Sequence, residues 1–236
     1  MTRFLSALVA ATILLASGVA VLAGPLHNAA KKGNIEQVEQ LIAEGVDVNQ
    51  QDRSMGTALH WAALRSDAAV AEVLIAAGAD VNAVSNQNSE TPLHVAAFAG
   101  YASFADLLLA KGADIEAMTS MVTGGGNTPL HMAVRGGQEA VTKLLLARGA
   151  DVDAKFLMNG GTALHLAAIQ GSAVVAEVLI SNGANVEARN ADERTPLHFA
   201  AIWGRVGVAE LLIAHGVDIN PKSTGGATPL HEASER

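Results

Sequence analysis

Seven tetrapeptides fix most of what this chain can become. Thr57-Ala58-Leu59-His60, Thr91-Pro92-Leu93-His94, Thr128-Pro129-Leu130-His131, Thr162-Ala163-Leu164-His165, Thr195-Pro196-Leu197-His198 and Thr228-Pro229-Leu230-His231 recur every 33 or 34 residues, once after 37. One period earlier, Gly24-Pro25-Leu26-His27 keeps the register with Gly in place of Thr. A period in this range signals stacked structural units, each packed only on its neighbours. Thr heads each unit as an N-cap, because its hydroxyl can satisfy an orphan N–H of the first helical turn. Pro at the next position has its φ preset for a helix start. A glycine at 100, 137, 171 or 204 closes this short helix. A second apolar run at helical spacing follows, such as Val208 to Ile213, and Gly78, Gly112, Gly149, Gly183 and Gly216 then sit where a left-handed C-cap is favoured. Each unit therefore reads as a helix pair with a turn arm.

With the T-P/A-L-H-x-A-A opening, the amphipathic run and the closing Val/Ala-Asp-Val/Ile-Asn, each unit resembles the ankyrin repeat. The resemblance implies an all-α solenoid of helix-turn-helix units with β-turn arms, a non-enzymatic module that binds proteins. The units divide as 24–56, 57–90, 91–127, 128–161, 162–194 and 195–227, with a partial one at 228–236. Lys31-Lys32-Gly33-Asn34-Ile35-Glu36 give the first unit the polar character of an outer cap. The longest unit places its extra residues in the arm from Met118 to Gly126.

Composition fits thin helical layers. Apolar residues make up 50% of the chain but aromatic ones only 3%, so packing rests on Ala and Leu rather than on rings. The absence of Cys removes disulfides, thiol catalysis and cysteine-ligated zinc. The formal charge of −8 argues against phosphate-directed binding of nucleic acid or docking on an anionic membrane, and favours a neutral or cationic partner.

Before the repeats, Phe4 to Ala23 contain no charged residue. With Arg3 ahead of them and small residues at Val21 and Ala23, residues 1–23 read as a secretory signal peptide cleaved after Ala23. That places the repeats outside the cytoplasm, periplasmic or secreted. The alternative is an uncleaved signal anchor, residues 4–23 spanning the membrane with Arg3 on the cytoplasmic side.

The repeated histidines raise a second alternative, a metal-binding protein or enzyme. Zinc holds nitrogen at about 2.0 to 2.1 Å, whereas equivalent residues on stacked helices stand roughly 8 to 10 Å apart. Adjacent histidines therefore cannot share an ion, and no cofactor or metal is expected. His215 lies outside the ladder, in a last helical turn that suits a partly cationic ring. Gly124-Gly125-Gly126-Asn127-Thr128 lacks the Lys and Ser/Thr of a phosphate loop. The recurrent Asp47, Asp80, Asp114, Asp151 and Asp218 read as turn formers rather than catalytic acids.

The resemblance also implies where a partner docks. The two residues before the glycine that ends each first helix, together with the arm tips, line a concave face. Carried over, these are Leu64, Arg65, Phe98, Ala99, Arg135, Gly136, Ile169, Gln170, Ile202 and Trp203. Phe98, Ile169, Ile202 and Trp203 form an apolar stripe interrupted by Arg135, and aromatic and Arg residues are the usual binding anchors. The arms add Met118, Met121, Val122, Phe156, Leu157 and Met158. Ser66, Met55 and Glu193 stand where a turn glycine is common and leave the local turn type open.

Overall fold

A computed structural model of the chain describes residues 24–52, 56–85, 87–120, 125–156 and 159–234; the expected leader at residues 1–23 lies outside them. Among the described residues there are thirteen helices and no strand. They come in pairs, one pair per layer: α1 (Pro25–Lys32) and α2 (Ile35–Ala43), α3 (Ala58–Arg65) and α4 (Ala68–Ala76), α5 (Pro92–Ala99) and α6 (Ala102–Ala110). The series continues with α7 (Pro129–Arg135) and α8 (Glu139–Ala147), α9 (Ala163–Gln170) and α10 (Ala173–Ser181), α11 (Pro196–Ile202) and α12 (Val206–Ala214), and ends on the lone α13 (Pro229–Ser234). The first helices stack in sequence order, α1 on α3 through to α11 on α13. The second helices form a parallel row, with α2 on α4, α6 on α8, α8 on α10 and α10 on α12.

Alanine makes this stacking close. Ala62 and Ala63, Ala96 and Ala97, and Ala167 and Ala168 are fully buried between layers, where a longer side chain would push the helices apart. Leucine fills what remains. Leu59, Leu93, Leu130 and Leu164 lie at the same place in successive first helices and are 0 to 1% exposed. Burying each contributes about 1.5 to 3 kcal/mol. The equivalent Leu230 in α13 is 75% exposed, since among the described residues α13 has a neighbouring layer on one side only.

The histidine ladder ties the layers together. In each of layers two to six the backbone N–H of the capping Thr donates to the Nδ1 of its histidine at 3.0 to 3.2 Å. The Thr hydroxyl stands 2.8 to 3.0 Å from the same nitrogen. Since an N–H can only donate, Nδ1 is the acceptor and Nε2 carries the proton. That Nε2–H donates across to an arm carbonyl of Glu90, Asn127, Ala154, Arg194 or Ala227, at 2.8 to 3.1 Å. His27 donates likewise to Gln50 and Gly56, but Gly24 offers no hydroxyl and the buried Nδ1 of His27 has no partner.

A second ladder runs through the arms. The expected turn formers accept from the backbone two residues on, as Asp47 does from Asn49 and Asp80 from Asn82, at 2.9 Å. The side chain two places further on then crosses to the next arm. Asn49 accepts from the N–H of Asp80, Asn82 from that of Asp114, Glu116 from that of Asp151 and Glu187 from that of Asp218, all at 2.8 Å. Ser66 and Glu193 both hold left-handed backbone, φ 57 and 60, and so keep the turn that Gly makes elsewhere; Met55 lies outside the described residues.

Candidate binding face

In the first-helix row, the fourth, seventh and eighth residues after each capping position share one helix face by their spacing and form a grid of three columns along the stack. Its seventh column is Lys31, Leu64, Phe98, Arg135, Ile169 and Ile202; its eighth is Lys32, Arg65, Ala99, Gly136, Gln170 and Trp203. Leu64, Phe98 and Trp203 are 42, 50 and 42% exposed, and Arg65, Arg135 and Gln170 are exposed too. Ile169 and Ile202 are half-buried. The apolar surface falls into two groups, Leu64 with Phe98 in layers two and three and Ile169, Ile202 with Trp203 in layers five and six, with Arg135 between them. Leu64 therefore belongs with the anchors that the sequence pattern assigned to Phe98 and its partners.

The fourth column is the floor: Trp61, Val95 and Met132 are buried, while Leu166 and Phe199 are half-buried. Trp61 was not evident from the sequence as a special position. Its indole N–H donates to Asp52 at 2.8 Å, and the Lys31 ammonium sits 4.4 Å from its ring centroid, joining layers one and two by a cation–π contact.

Two glycines allow side chains to brace the rim of this face. The Gln138 amide donates to the carbonyl of Phe98 and the Arg205 guanidinium to that of Ile169, both at 3.0 Å, each reaching back one layer to an otherwise orphaned helix-end carbonyl. A Cβ at Gly100 would lie 2.3 Å from Gln138, and one at Gly171 would lie 2.7 Å from Arg205.

The arms are less available than the sequence suggests. Phe156 is buried, not exposed: its ring meets that of His131 edge-on, with centroids 5.6 Å apart. It occupies the arm position taken by Asp52, Ser85 and Asn190 in other units, so it packs under the arm instead of projecting from it. Met118 is 43% exposed, whereas Met121, Val122, Leu157 and Met158 lie outside the described residues. In the long arm the N–H of Thr119 donates to the carbonyl of Asn127 and the N–H of Asn127 to the Thr119 hydroxyl, closing the base of the loop.

The ladder histidines are occupied structurally. Burial, the largest influence, pushes His94, His131 and His165 down to about 4 from an ordinary 6.5, and depresses His60 and His198. With Nε2 donating and Nδ1 accepting in each of these rings, neither nitrogen offers a metal a lone pair. No group of metal-ligating side chains that could hold an ion occurs among the described residues. Nor is any helix among them long and apolar enough to cross a membrane; the candidate anchor at residues 4–23 lies outside them.

No match was found among curated proteins. Among solved structures, the chain is similar to the ankyrin repeat domain of Bcl-3, described as a unique member of the IkappaB protein family. The two share 30% identity over 89% of this chain and 93% of that one, with a TM-score of 0.78. It is equally similar to the human ASB11 ankyrin repeat domain, at 31% identity over 89% of this chain and 91% of that one, again with a TM-score of 0.78. The family model for ankyrin repeats in three copies matches residues 26–119, 117–190, 152–223 and 175–236. Ankyrin repeats generally serve protein–protein interaction, and this chain belongs to the ankyrin repeat family.

Proposed function

We propose that the protein is a non-enzymatic binding module that recognises another protein through the open, concave side of its first-helix row. The observation that carries this reading is the exposure of Leu64, Phe98 and Trp203 on the same side of the first-helix row. The layers are held by the buried Leu, Ala and His positions, so the seventh and eighth columns are left to vary. Large aromatic side chains at such positions are the usual anchors of an interface. Affinity capture with the tagged mature protein, compared with a Phe98→Ala/Trp203→Ala double variant, tests it. A partner held by the wild type and lost by the variant supports the reading, and one held equally by both removes it.

We further propose that the module acts outside the cytoplasm, after cleavage behind Ala23. Arg3, the uncharged run and Val21-Leu22-Ala23 support that reading. N-terminal sequencing of protein from its own host then reads Gly24-Pro25-Leu26. Met1 on membrane-extracted protein favours the anchored form, and Met1 on soluble cytoplasmic protein removes both.

A further inference from the structure

The charges of the chain are sorted between its two helix rows. Helices α1, α3, α5, α7, α9 and α11 carry Lys31, Lys32, Arg65 and Arg135 and no acidic residue. Helices α2, α4, α6, α8, α10 and α12 carry Glu36, Glu39, Glu72, Asp106, Glu139, Glu177 and Glu210 against a single base, Lys143. The excess of acid that gives the chain its −8 is thus absent from the first helices of layers one to six; the row's last helix, α13, carries Glu232, which pairs with Arg194. All four cations are exposed, and none makes an ion pair among the described residues, although Lys31 also rests on the ring of Trp61. Asp67, near Arg65, is committed to capping α4 through the N–H of Val70. The arm cations Arg189 and Arg194, by contrast, are matched by Glu193, Asp192 and Glu232.

We infer that the first-helix face binds an acidic protein segment with large apolar residues at two points, which rests on the binding face proposed above. Lys31, Lys32, Arg65 and Arg135 set the carboxylates over layers one to four. Leu64 with Phe98 takes one apolar anchor, and Ile169, Ile202 and Trp203 take the other. An unpaired cation beside apolar surface draws in an opposite charge and raises the rate of encounter. This reverses the neutral or cationic partner that the net charge alone suggests. A nucleic acid or an anionic membrane fits less well. The cations span only four layers, the acidic second row repels an extended polyanion, and the apolar groups need side chains to fill them.

The experiment uses the full chain and two matched libraries of synthetic peptides. Both carry Leu, Phe and Trp at randomised apolar positions, with Asp and Glu elsewhere in one library and Lys and Arg elsewhere in the other; a single-stranded oligonucleotide serves as a plain polyanion. The acidic library is expected to be retained, with binding that weakens as salt rises. It should fall at least roughly tenfold in Arg65→Glu/Arg135→Glu and in the milder Lys32→Gln/Arg135→Gln, both checked for an unchanged melting curve. Retention of the basic library, lost in Trp203→Ala, overturns the acidic partner and leaves the binding face standing. Retention of neither library, or binding indifferent to every variant, overturns both. Displacement of the acidic peptides by the oligonucleotide, with no dependence on their apolar residues, also overturns the inference.

Discussion

The side-chain amide of Gln138 donates to the backbone carbonyl of Phe98, 3.0 Å away and forty residues earlier in the chain. One bond thus links the brace of the fourth layer to an exposed anchor of the third. It exists only because Gly100, at φ 85, leaves room for the amide. Gly100→Ala should cost about 2 kcal/mol or more, since a left-handed Ala is strained by about 1 to 2 kcal/mol before the clash with Gln138 is counted. Urea unfolding of the variant measures this, and a loss below about 0.5 kcal/mol would show that the brace relaxes freely.

Ser66 gives the converse test. It holds φ 57 where other layers have glycine, so Ser66→Gly should raise stability by about 1 kcal/mol. An unchanged or lowered denaturation midpoint would mean that the serine side chain contributes what the backbone loses.

At the start of the array, Gly24 leaves the buried Nδ1 of His27 without the hydroxyl that Thr supplies in the layers behind it. Gly24→Thr should restore that contact and add about 1 kcal/mol, because an unsatisfied buried acceptor carries a penalty of that order. Hydrogen exchange of the amides in α1 should slow correspondingly, and faster exchange would contradict the register assigned to this first unit.

The ladder also sets a pH dependence. His94, His131 and His165 have folded values near 4, below the ordinary 6.5, so the unfolded chain takes up protons first as pH falls. Their contribution is complete above pH 6.5 and lost progressively down to about 4, on the order of 3 kcal/mol for each. Protonating Nδ1 would also set its new N–H against the Thr N–H. Glu116, pushed up by burial, works in the opposite direction at a single half-buried site. Thermal melts should therefore begin to fall below pH 6.5, and His131→Ala should flatten that slope while lowering the melting temperature at pH 7.5.

What repeats in this molecule was legible in its sequence, and what occurs once was not. The Thr caps, the histidine ladder and the Asp turns recur in almost every unit, with Gly24 for Thr in the first and Asn185 for Asp in the fifth, because the stack requires them, so their spacing announced the helix pairs and their boundaries. The exposure of Phe98, Arg135, Gln170 and Trp203 followed from their register. Phe156 did not: in an arm of that length an apolar residue can point outward or tuck under, and only the His131 ring beside it decides. The braces from Gln138 and Arg205 occur in two layers with different side chains, so no pattern marked them. Net charge gave no sign of how the charges are sorted, since it averages second helices rich in acid with first helices in layers one to six that carry only bases.

The account stands most directly on Trp203, set against a control on the other row, Val206, which is 66% exposed on α12. The measurement is the Kd of one captured partner for the wild type, Trp203→Ala and Val206→Asp, with melting curves for all three. Removing a central aromatic anchor commonly costs about 2 kcal/mol of binding or more. Trp203→Ala should therefore weaken the complex more than roughly tenfold with a stability loss of no more than about 1 kcal/mol, while Val206→Asp leaves the Kd unchanged. Intact binding in Trp203→Ala together with lost binding in Val206→Asp would place the partner on the second-helix row and contradict the account.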